Sequence, residues 1–322
     1  MKEELLSIIN AVKITSSNSF SFAGKNFSYA PGSLYYVNSL IDLLKQILYT
    51  QCYCQKFGNK YVEIEQSGIS DKSFLTALVS ANTSVSNWDS NWVIEQKLAN
   101  GRFVAKKNSH YKILNHSEFK LVNIQKVIPK EGDVISIDCK RDSSVYQSAF
   151  YYAFGNEVEC DQNLVTLVRV YFNIESHNAP QLLKLISSEL NKYFIPFTFK
   201  CLNQSTYYSR IDSAVLYIQK PYYNITKHVL TNAFEEQSFN FNDATSLFTK
   251  KIMKGVSVAE EPGDGESFGT SRCGMLANSL INSKNKGIES PEEILDDAEF
   301  FFQNCGINIY NAYLNKGSTD TY

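Results

Sequence analysis

The sequence predicts an α+β protein, in which a helical and β-meander N-terminal part precedes a core built on a mixed or antiparallel sheet. Aromatic residues make up 13% of the chain, with 21 Phe and 20 Tyr, which favours strands over a helical bundle. Apolar residues recur at helical spacing early in the chain and alternate with a period of two further on. At 322 residues the chain can bury the core of one large domain or two intimate ones.

The N-terminal part begins with helices. The spacing predicts a short amphipathic helix over residues 2–14 and a polar loop, rich in Ser and Asn, over residues 16–27. A longer helix is expected over residues 33–57, because its apolar residues form one stripe. Ser70 and Asp71 can cap a third helix.

After the third helix, apolar residues alternate with polar ones at a period of two, which predicts a β-meander. Its strands are expected over residues 92–94, 102–105 and 111–114, and a further strand over residues 134–139 follows in a less regular stretch. Asn100 and Gly101 form a strong turn signal between the first two strands, and residues 106–109 form the next turn. Trp88 and Trp92 are interpreted as packing residues.

Residues 169–220 gather basic groups on an apolar scaffold. Strands are expected over residues 165–174, 195–200 and 213–218, and a helix over residues 179–193. Alternation places Arg169, Tyr171 and Asn173 on one face of the first strand. Lys200 lies near the end of the second strand, and Arg210 precedes the third.

The C-terminal part combines helices with a long loop. A helix is expected over residues 222–237, followed by an acidic, Gly-containing loop over residues 255–269, a length that often carries function. A helix that begins at Ser271 places Arg272 near its positive N-terminus. Ser290, followed by Pro, opens the last helix.

We place a functional boundary near residue 145, which separates residues 1–144 from residues 145–322. No Gly/Ser- or Pro-rich linker marks it, and no repeat or low-complexity segment is visible.

Composition excludes several classes of function. The net charge of -2 provides no global field for nucleic acid or acidic membranes. No apolar run has membrane-spanning length, and the first residues differ from a signal peptide. The seven Cys and four His form no metal-ligand pattern, which indicates reduced thiols in a cytoplasmic protein without a metal or other cofactor.

The chain contains five arginines, and three of them, Arg169, Arg210 and Arg272, lie in strongly patterned stretches. Arginines bind phosphate bidentately. A lysine near other cations, such as Lys200, becomes partly neutral and can act as a base, whereas Tyr171 can protonate a departing oxygen. Together these residues predict phosphate elimination, in which the base removes a Cα proton and the arginines neutralise the phosphate.

Each of these residues also has a structural interpretation. Arg169 and Tyr171 can form the solvent face of their strand, and Lys200 can be an ordinary surface lysine. Arg210 can pair with Asp212.

Three further interpretations are open. Arg272 can anchor its loop to Glu261 or Glu266. His177 is a weaker candidate for the acid. A metal-dependent phosphatase is disfavoured, because plausible metal ligands are lacking.

Seven stretches of the chain carry a family resemblance. They are residues 88–92, 150–155, 169–174, 190–191, 195–200, 208–217 and 266–273. Through them the chain resembles the HopA family of type III effectors and their stand-alone relatives, the HopA-like lyase components of class V lanthipeptide biosynthesis. Glu-Ser-Phe-Gly-x-x-Arg-Cys, at residues 266–273, is the most specific element.

The family resembles the phosphothreonine lyases, which remove phosphate by β-elimination, and this likeness implies a lyase core of similar fold. By the same likeness, Arg169 and Tyr171 occupy the places of a basic residue and a histidine acid, so the tyrosine is a departure from the pattern. Lys200 matches the lysine base, whereas Arg210 and, more loosely, Arg272 match phosphate-binding arginines.

The resemblance also implies partners. The substrate would be a ribosomal precursor peptide, phosphorylated on Ser or Thr by a separate kinase-like protein and converted to dehydroalanine or dehydrobutyrine. Residues 1–140 could dock the leader peptide or the kinase. The alternative is an effector or interaction protein that binds a phosphorylated protein without turnover. The early first helix leaves little room for an effector's disordered leader and favours the biosynthetic role.

Overall fold

The computed structural model describes residues 1–29, 39–63, 71–108, 110–157 and 167–322. Outside these ranges lie residues 33–38 of the predicted long helix, Ser70, Ser109 and residues 165–166 of the predicted first central strand. The described residues form helices and three sheets whose paired strands are antiparallel, which confirms the predicted α+β class.

The described elements have the following bounds. The helices are α1 (Lys2–Ala11), α2 (Leu40–Leu48), α3 (Lys72–Ala81), α4 (Ala179–Lys192), α5 (Tyr223–Glu236), α6 (Phe268–Asn285) and α7 (Pro291–Asn304). The first strands are β1 (Val12–Ser16), β2 (Ser19–Phe22), β3 (Lys25–Ser28), β4 (Asn87–Lys97), β5 (Phe103–Lys107), β6 (His110–Leu114), β7 (Phe119–Leu121) and β8 (Val134–Cys139). The later strands are β9 (Asp142–Ser143), β10 (Phe150–Phe154), β11 (Leu167–Phe172), β12 (Thr198–Leu202), β13 (Ala214–Gln219), β14 (Lys250–Met253) and β15 (Val256–Glu260).

The largest sheet has seven strands in the order β14-β15-β11-β13-β12-β10-β9. One of its faces is apolar and packs against α4 and α5, with Phe172, Phe199 and Leu216 fully buried there. The predicted strand–helix–strand–strand pattern is therefore confirmed as β11, α4, β12 and β13.

The opposite face of this sheet packs against α2 and α6. A second core there joins Leu5 and Leu44 from the N-terminal helices to Tyr171, Phe268 and Phe302. The N-terminal helices thus share a core with elements on the other side of the boundary that we placed near residue 145.

Two smaller sheets complete the architecture. β1, β2 and β3 form a three-stranded meander, and the five-stranded sheet has the order β6-β5-β4-β8-β7. The five-stranded sheet has its own small core, in which Trp92 is 2% exposed. Trp88, in contrast, is 45% exposed, and the Lys120 ammonium lies 4.0 Å from its ring.

Three predictions for the N-terminal part are wrong in detail. The first helix ends at Ala11 and continues as a strand. The predicted polar loop contains β2 and β3, because its Ser-Phe-Ser-Phe alternation buries Phe20 and Phe22 on one face. The long helix stops at Leu48 and is followed by a π turn, Tyr49–Tyr53, so it does not reach Phe57 as an α-helix.

The predicted loop over residues 255–269 is also shorter than expected. Val256–Glu260 is the strand β15, which pairs with β11 and is buried along its whole length. Gly255, at φ +64°, makes the turn from β14. α6 begins at Phe268 rather than Ser271, because the Ser267 hydroxyl caps it by accepting a hydrogen bond from the Thr270 amide.

Candidate functional site

Strand register brings three predicted residues onto one face of the large sheet. Arg169 on β11 is opposite Tyr217 on β13, and Tyr171 is opposite Val215, which is itself opposite Lys200 on β12. Residues directly paired in antiparallel strands have side chains on the same face. Arg169, Tyr171 and Lys200 therefore share the face that packs against α2 and α6.

Lys200 lies in the middle of β12, since the strand continues to Leu202. Its ammonium is 4.5 Å from the centre of the Phe150 ring and 5.6 Å from that of Tyr217. Among the described residues no carboxylate pairs with it. Burial is the main cause that lowers the pKa of Lys200; Arg169 and Arg210 lower it further, whereas Tyr152 and Asp212 oppose the shift. An ordinary surface lysine would not have this environment.

Arg169 is 8% exposed and forms a fork with Glu261. Its Nη2 donates to Oε1 at 2.6 Å, its Nε donates to Oε2, and its guanidinium lies 5.1 Å from the Tyr217 ring. The interpretation of Arg169 and Tyr171 as a solvent face is therefore wrong.

Tyr171 lies on the same face and is only 3% exposed, so it forms the deepest part of the candidate site, which we call its floor. Its ring packs edge-on against that of Tyr53, with the ring centres 6.2 Å apart, and lies tilted to that of Phe268 at 6.4 Å. Its buried hydroxyl has no hydrogen-bond partner within the described part of the chain, and burial raises its pKa. A proton from this hydroxyl can serve only a leaving group that reaches the floor.

Arg210 lies in the loop before β13 and forms a fork with Asp212, at 2.9 Å from Nε and 2.7 Å from Nη2. The predicted ion pair is thus confirmed, and Nη2 also donates to the Tyr49 hydroxyl at 3.0 Å. In both Arg169 and Arg210 the carboxylate occupies Nε and Nη2, and Nη1 makes no hydrogen bond to a described residue. One edge of each guanidinium is left for another anion.

Arg272, on the first turns of α6, is 3% exposed. It donates to the carbonyl of Ala312 at 2.8 Å and to Asn315 Oδ1 at 3.0 Å, and its guanidinium lies 5.1 Å from the Phe268 ring. It therefore does not anchor its loop to Glu261 or Glu266. It holds residues 312–315, and it approaches the other site residues through Phe268.

Sequence reasoning missed several tyrosines of the site. Tyr217, directly opposite Arg169, is more exposed than Tyr171, and burial raises its pKa to about 12. Strand alternation could have identified it once the register was known. Tyr49 and Tyr53 come from the π turn, for which the sequence gives no comparable signal.

His177 lies in an exposed turn, with its Nδ1 3.3 Å from a carboxylate oxygen of Glu175. None of the contacts given above for Lys200 involves it. Within the described ranges no group of three or more His, Cys, Asp or Glu side chains could hold a metal ion. No helix in the same ranges has the length and apolar character needed to cross a bilayer.

A cleft of about 200 Å³ separates the five-stranded sheet from the edge of the large sheet. Leu114 and Ile137 line one wall, and Tyr146, Phe154 and Thr198 line the other. Thr198 points to the same side of β12 as Lys200, two residues further on. One lining residue of the cleft therefore lies on the strand face that carries the candidate site.

Comparison with known proteins identifies one family. The HopA1 effector protein family matches residues 141–314, more than half of the chain. The structure of the effector protein from Pseudomonas syringae pv. tomato strain DC3000 is 18% identical, with 86% of this chain and 89% of that chain covered and a TM-score of 0.47. The effector from Pseudomonas syringae pv. syringae strain 61 is 13% identical, with 84% and 88% covered and a TM-score of 0.47. No curated protein matches the chain.

Proposed function

The chain belongs to the HopA1 effector protein family, and we propose that it is a lyase that eliminates phosphate from phosphoserine or phosphothreonine in a ribosomally made precursor peptide. The environment of Lys200 carries this proposal. Its ammonium is enclosed by aromatic rings beside Arg169 and lacks a carboxylate partner among the described residues. Such an amine loses its proton more readily than usual and can act as a base.

The reaction needs one proton acceptor and one proton donor. The neutral amine of Lys200 takes the Cα proton, the C–H electrons form the Cα=Cβ double bond, and the Cβ–O bond breaks with its electrons on phosphate. A tyrosine hydroxyl then protonates that oxygen. The products are dehydroalanine or dehydrobutyrine and inorganic phosphate, without consumption of water.

Arg169 and Arg210 are the proposed phosphate ligands. Each is already neutralised by a carboxylate, which orients the guanidinium and leaves Nη1 for the substrate. Arg272 is committed to residues 312–315, so in this proposal it supports the floor of the site.

Tyr171 remains the proposed acid from the family resemblance, and Tyr217 is a second phenol on the same face. Separate Tyr171→Phe and Tyr217→Phe variants distinguish them. The variant that lacks the acid should lose elimination of phosphothreonine while its turnover of a substrate with a better leaving group is less affected. Equal losses on both substrates would exclude a role as the acid.

We further propose that the cleft between the two sheets receives the peptide around the phosphorylated residue, after a separate kinase-like protein has supplied the phosphate. Thr198 supports this placement, because it lines the cleft and lies on the same face of β12 as Lys200. Tyr146, 61% exposed on the cleft wall, is the test residue. Tyr146→Ala should raise KM with little change in kcat, whereas Phe300→Ala, 59% exposed on α7, should change neither.

The alternative function is that of an effector or interaction protein that binds a phosphorylated protein without turnover. The name of the family, which describes effectors, favours this alternative.

Mass spectrometry of a leader-linked phosphothreonine peptide, incubated with the purified protein and a chelator, separates the two functions. Loss of phosphoric acid, leaving an alkene that traps a thiol, supports the lyase. Return of the free hydroxyl means hydrolysis and contradicts elimination. Binding of the cognate peptide without any change in mass supports the alternative.

A further inference from the structure

The π turn Tyr49–Tyr53 contributes to the candidate site from outside the residues that match the family, 141–314. The amide of Cys54 donates to the carbonyl of Tyr49 at 2.9 Å, five residues back, which is the hydrogen bond of a π-helix. The rings of Tyr49 and Tyr53 stack at 5.4 Å with an interplanar angle of 15°. Such turns are frequent at functional sites.

The loop that carries Arg210 is fastened to this turn twice. The amide of Ile211 donates to the carbonyl of Cys54 at 2.7 Å, and Arg210 Nη2 donates to the Tyr49 hydroxyl at 3.0 Å. Arg210 precedes β13 and belongs to neither a helix nor a strand, so its orientation depends on these contacts and on Asp212.

The other end of the turn reaches the floor of the site. Tyr53 packs against Tyr171 at 6.2 Å and Phe268 at 6.3 Å. Gly269 leaves room for it, because a Cβ atom at this position would lie 2.5 Å from the Tyr53 ring. Close packing against Tyr53 thus explains why the Glu-Ser-Phe-Gly motif has glycine at position 269, although the two residues are more than two hundred positions apart.

We propose that Tyr49 is a positioning residue for Arg210, and that the N-terminal π turn is part of the phosphate site rather than of a separate docking region. Its hydroxyl holds the guanidinium in the orientation in which Asp212 occupies Nε and Nη2 and Nη1 faces an incoming anion. The inference rests on the proposed function only in that Arg210 binds the phosphate group. Burial raises the pKa of Tyr49, so the hydroxyl stays neutral at physiological pH.

Tyr49→Phe tests this role, because it keeps the stacked ring and removes only the hydroxyl. Thr50→Ala is the matched control in the same turn, since the Thr50 hydroxyl bonds to the carbonyl of Gln46 at 2.9 Å and not to Arg210. Both changes are made in the Lys200→Ala background, so that a short fluorescent phosphothreonine peptide is bound without being consumed. We expect Tyr49→Phe to weaken binding about 3- to 10-fold, which is less than the full value of one hydrogen bond to a charged group because Tyr49 acts on the ligand only through Arg210. Thr50→Ala should change binding less than twofold.

With Lys200 present, Tyr49→Phe should raise KM by a similar factor with kcat within about twofold. Equal binding by the Tyr49→Phe and Thr50→Ala proteins would overturn the inference, as would a loss of melting temperature and kcat with unchanged binding.

The inference and the proposed function can fail separately. If the unsubstituted protein never eliminates phosphate but Tyr49→Phe still weakens peptide binding, the lyase proposal fails and the positioning role stands. If it eliminates phosphate and Tyr49→Phe leaves KM unchanged, only the positioning role fails. If the phosphopeptide does not bind at all, both fail.

Discussion

The two faces of the seven-stranded sheet are made by the same strands and differ completely in chemistry. On the face toward α4 and α5, Phe172, Phe199 and Leu216 are fully buried in an apolar core. On the face toward α2 and α6, their neighbours in sequence include Arg169, Tyr171 and Lys200. Consecutive residues of one strand therefore belong in turn to the apolar core and to the face of the candidate site, because side chains alternate between faces.

The polar face also contrasts two cations, the buried Arg169 and the half-buried Lys200. Arg169 is compensated by the fork with Glu261, whereas Lys200 lies among the rings of Phe150, Tyr152 and Tyr217 and forms no ion pair with a carboxylate within the described ranges. A buried charge without a partner is costly, so a lysine in this setting favours its neutral form. This difference is the reason for assigning the base to Lys200 rather than treating all cations of the face alike.

The largest effect should come from Lys200→Met, which keeps an apolar chain beside Phe150. Elimination should fall about 100- to 10,000-fold, as expected for loss of a general base. The melting temperature should stay constant or rise, because the substitution removes a half-buried ammonium that has no ion-pair partner among the described residues. Lys184→Met, at an exposed position of α4, is the control and should alter neither quantity. Normal turnover by the Lys200→Met protein would show that the base is another residue.

Phe199→Ala, one residue earlier, should affect stability alone. Phe199 is 0% exposed on the apolar face, so truncation should lower the free energy of unfolding by about 3–5 kcal/mol. At a temperature where the variant is folded, kcat should match that of the unsubstituted protein. Chemical denaturation measures the first quantity and peptide turnover the second. A large loss of kcat in folded protein would mean that the two faces are not independent.

Gly269→Ala and Gly274→Ala compare two positions of α6. At Gly269 a Cβ atom would lie 2.5–2.7 Å from the Tyr53 ring, so overpacking should cost about 1–3 kcal/mol and weaken substrate binding. At Gly274 it would meet only the flexible end of Lys45, at 3.1 Å, and helix propensity should offset this contact. Thermal melting and KM of the two variants provide the comparison. Equal melting temperatures would argue against the close packing of Tyr53.

The smallest effect concerns pH. The pKa of Lys200 is lowered in the folded protein, mainly by burial. Below that pKa the amine is protonated and cannot accept the Cα proton, so kcat should rise with pH, at most about tenfold per pH unit, until the midpoint is passed. The same shift makes the folded state bind fewer protons than the unfolded state, so the contribution of Lys200 to stability becomes less unfavourable as pH rises. A flat profile of log kcat against pH would contradict the assignment.

Local patterns predicted the central elements of the fold. Sequence patterns predicted β11, α4, β12 and β13, because strand alternation and helical spacing can be recognised within short stretches of sequence. β15 was missed, since Val-Ser-Val-Ala-Glu owes its conformation to pairing with β11 on one side and β14 on the other. The π turn was missed because its geometry depends on packing against α6 and the Arg210 loop.

The members of the candidate site and their roles stay predictions, but the structure shows how these residues are arranged. Arg169 and Tyr171 lie on one face of β11, as strand alternation predicted, whereas the position of Lys200 on that face follows from a strand register that the sequence left open. The ion pair of Arg169 with Glu261 spans 92 positions, and the partners of Arg272 lie 40 to 43 positions away, so neither could be found from spacing. The burial of Lys200 likewise depends on other strands that no local pattern describes.

The attachment of Arg272 to residues 312–315 has a consequence for biosynthesis of the protein itself. Lys45 meets Glu266 across 221 positions at 3.1 Å, and α1 packs against α7. Contacts between residues so far apart in sequence slow folding, because the chain loses loop-closure entropy before these contacts can stabilise it. A nascent chain can therefore complete the candidate site, with Arg272 held by Ala312 and Asn315, only after residues up to 315 have left the ribosome.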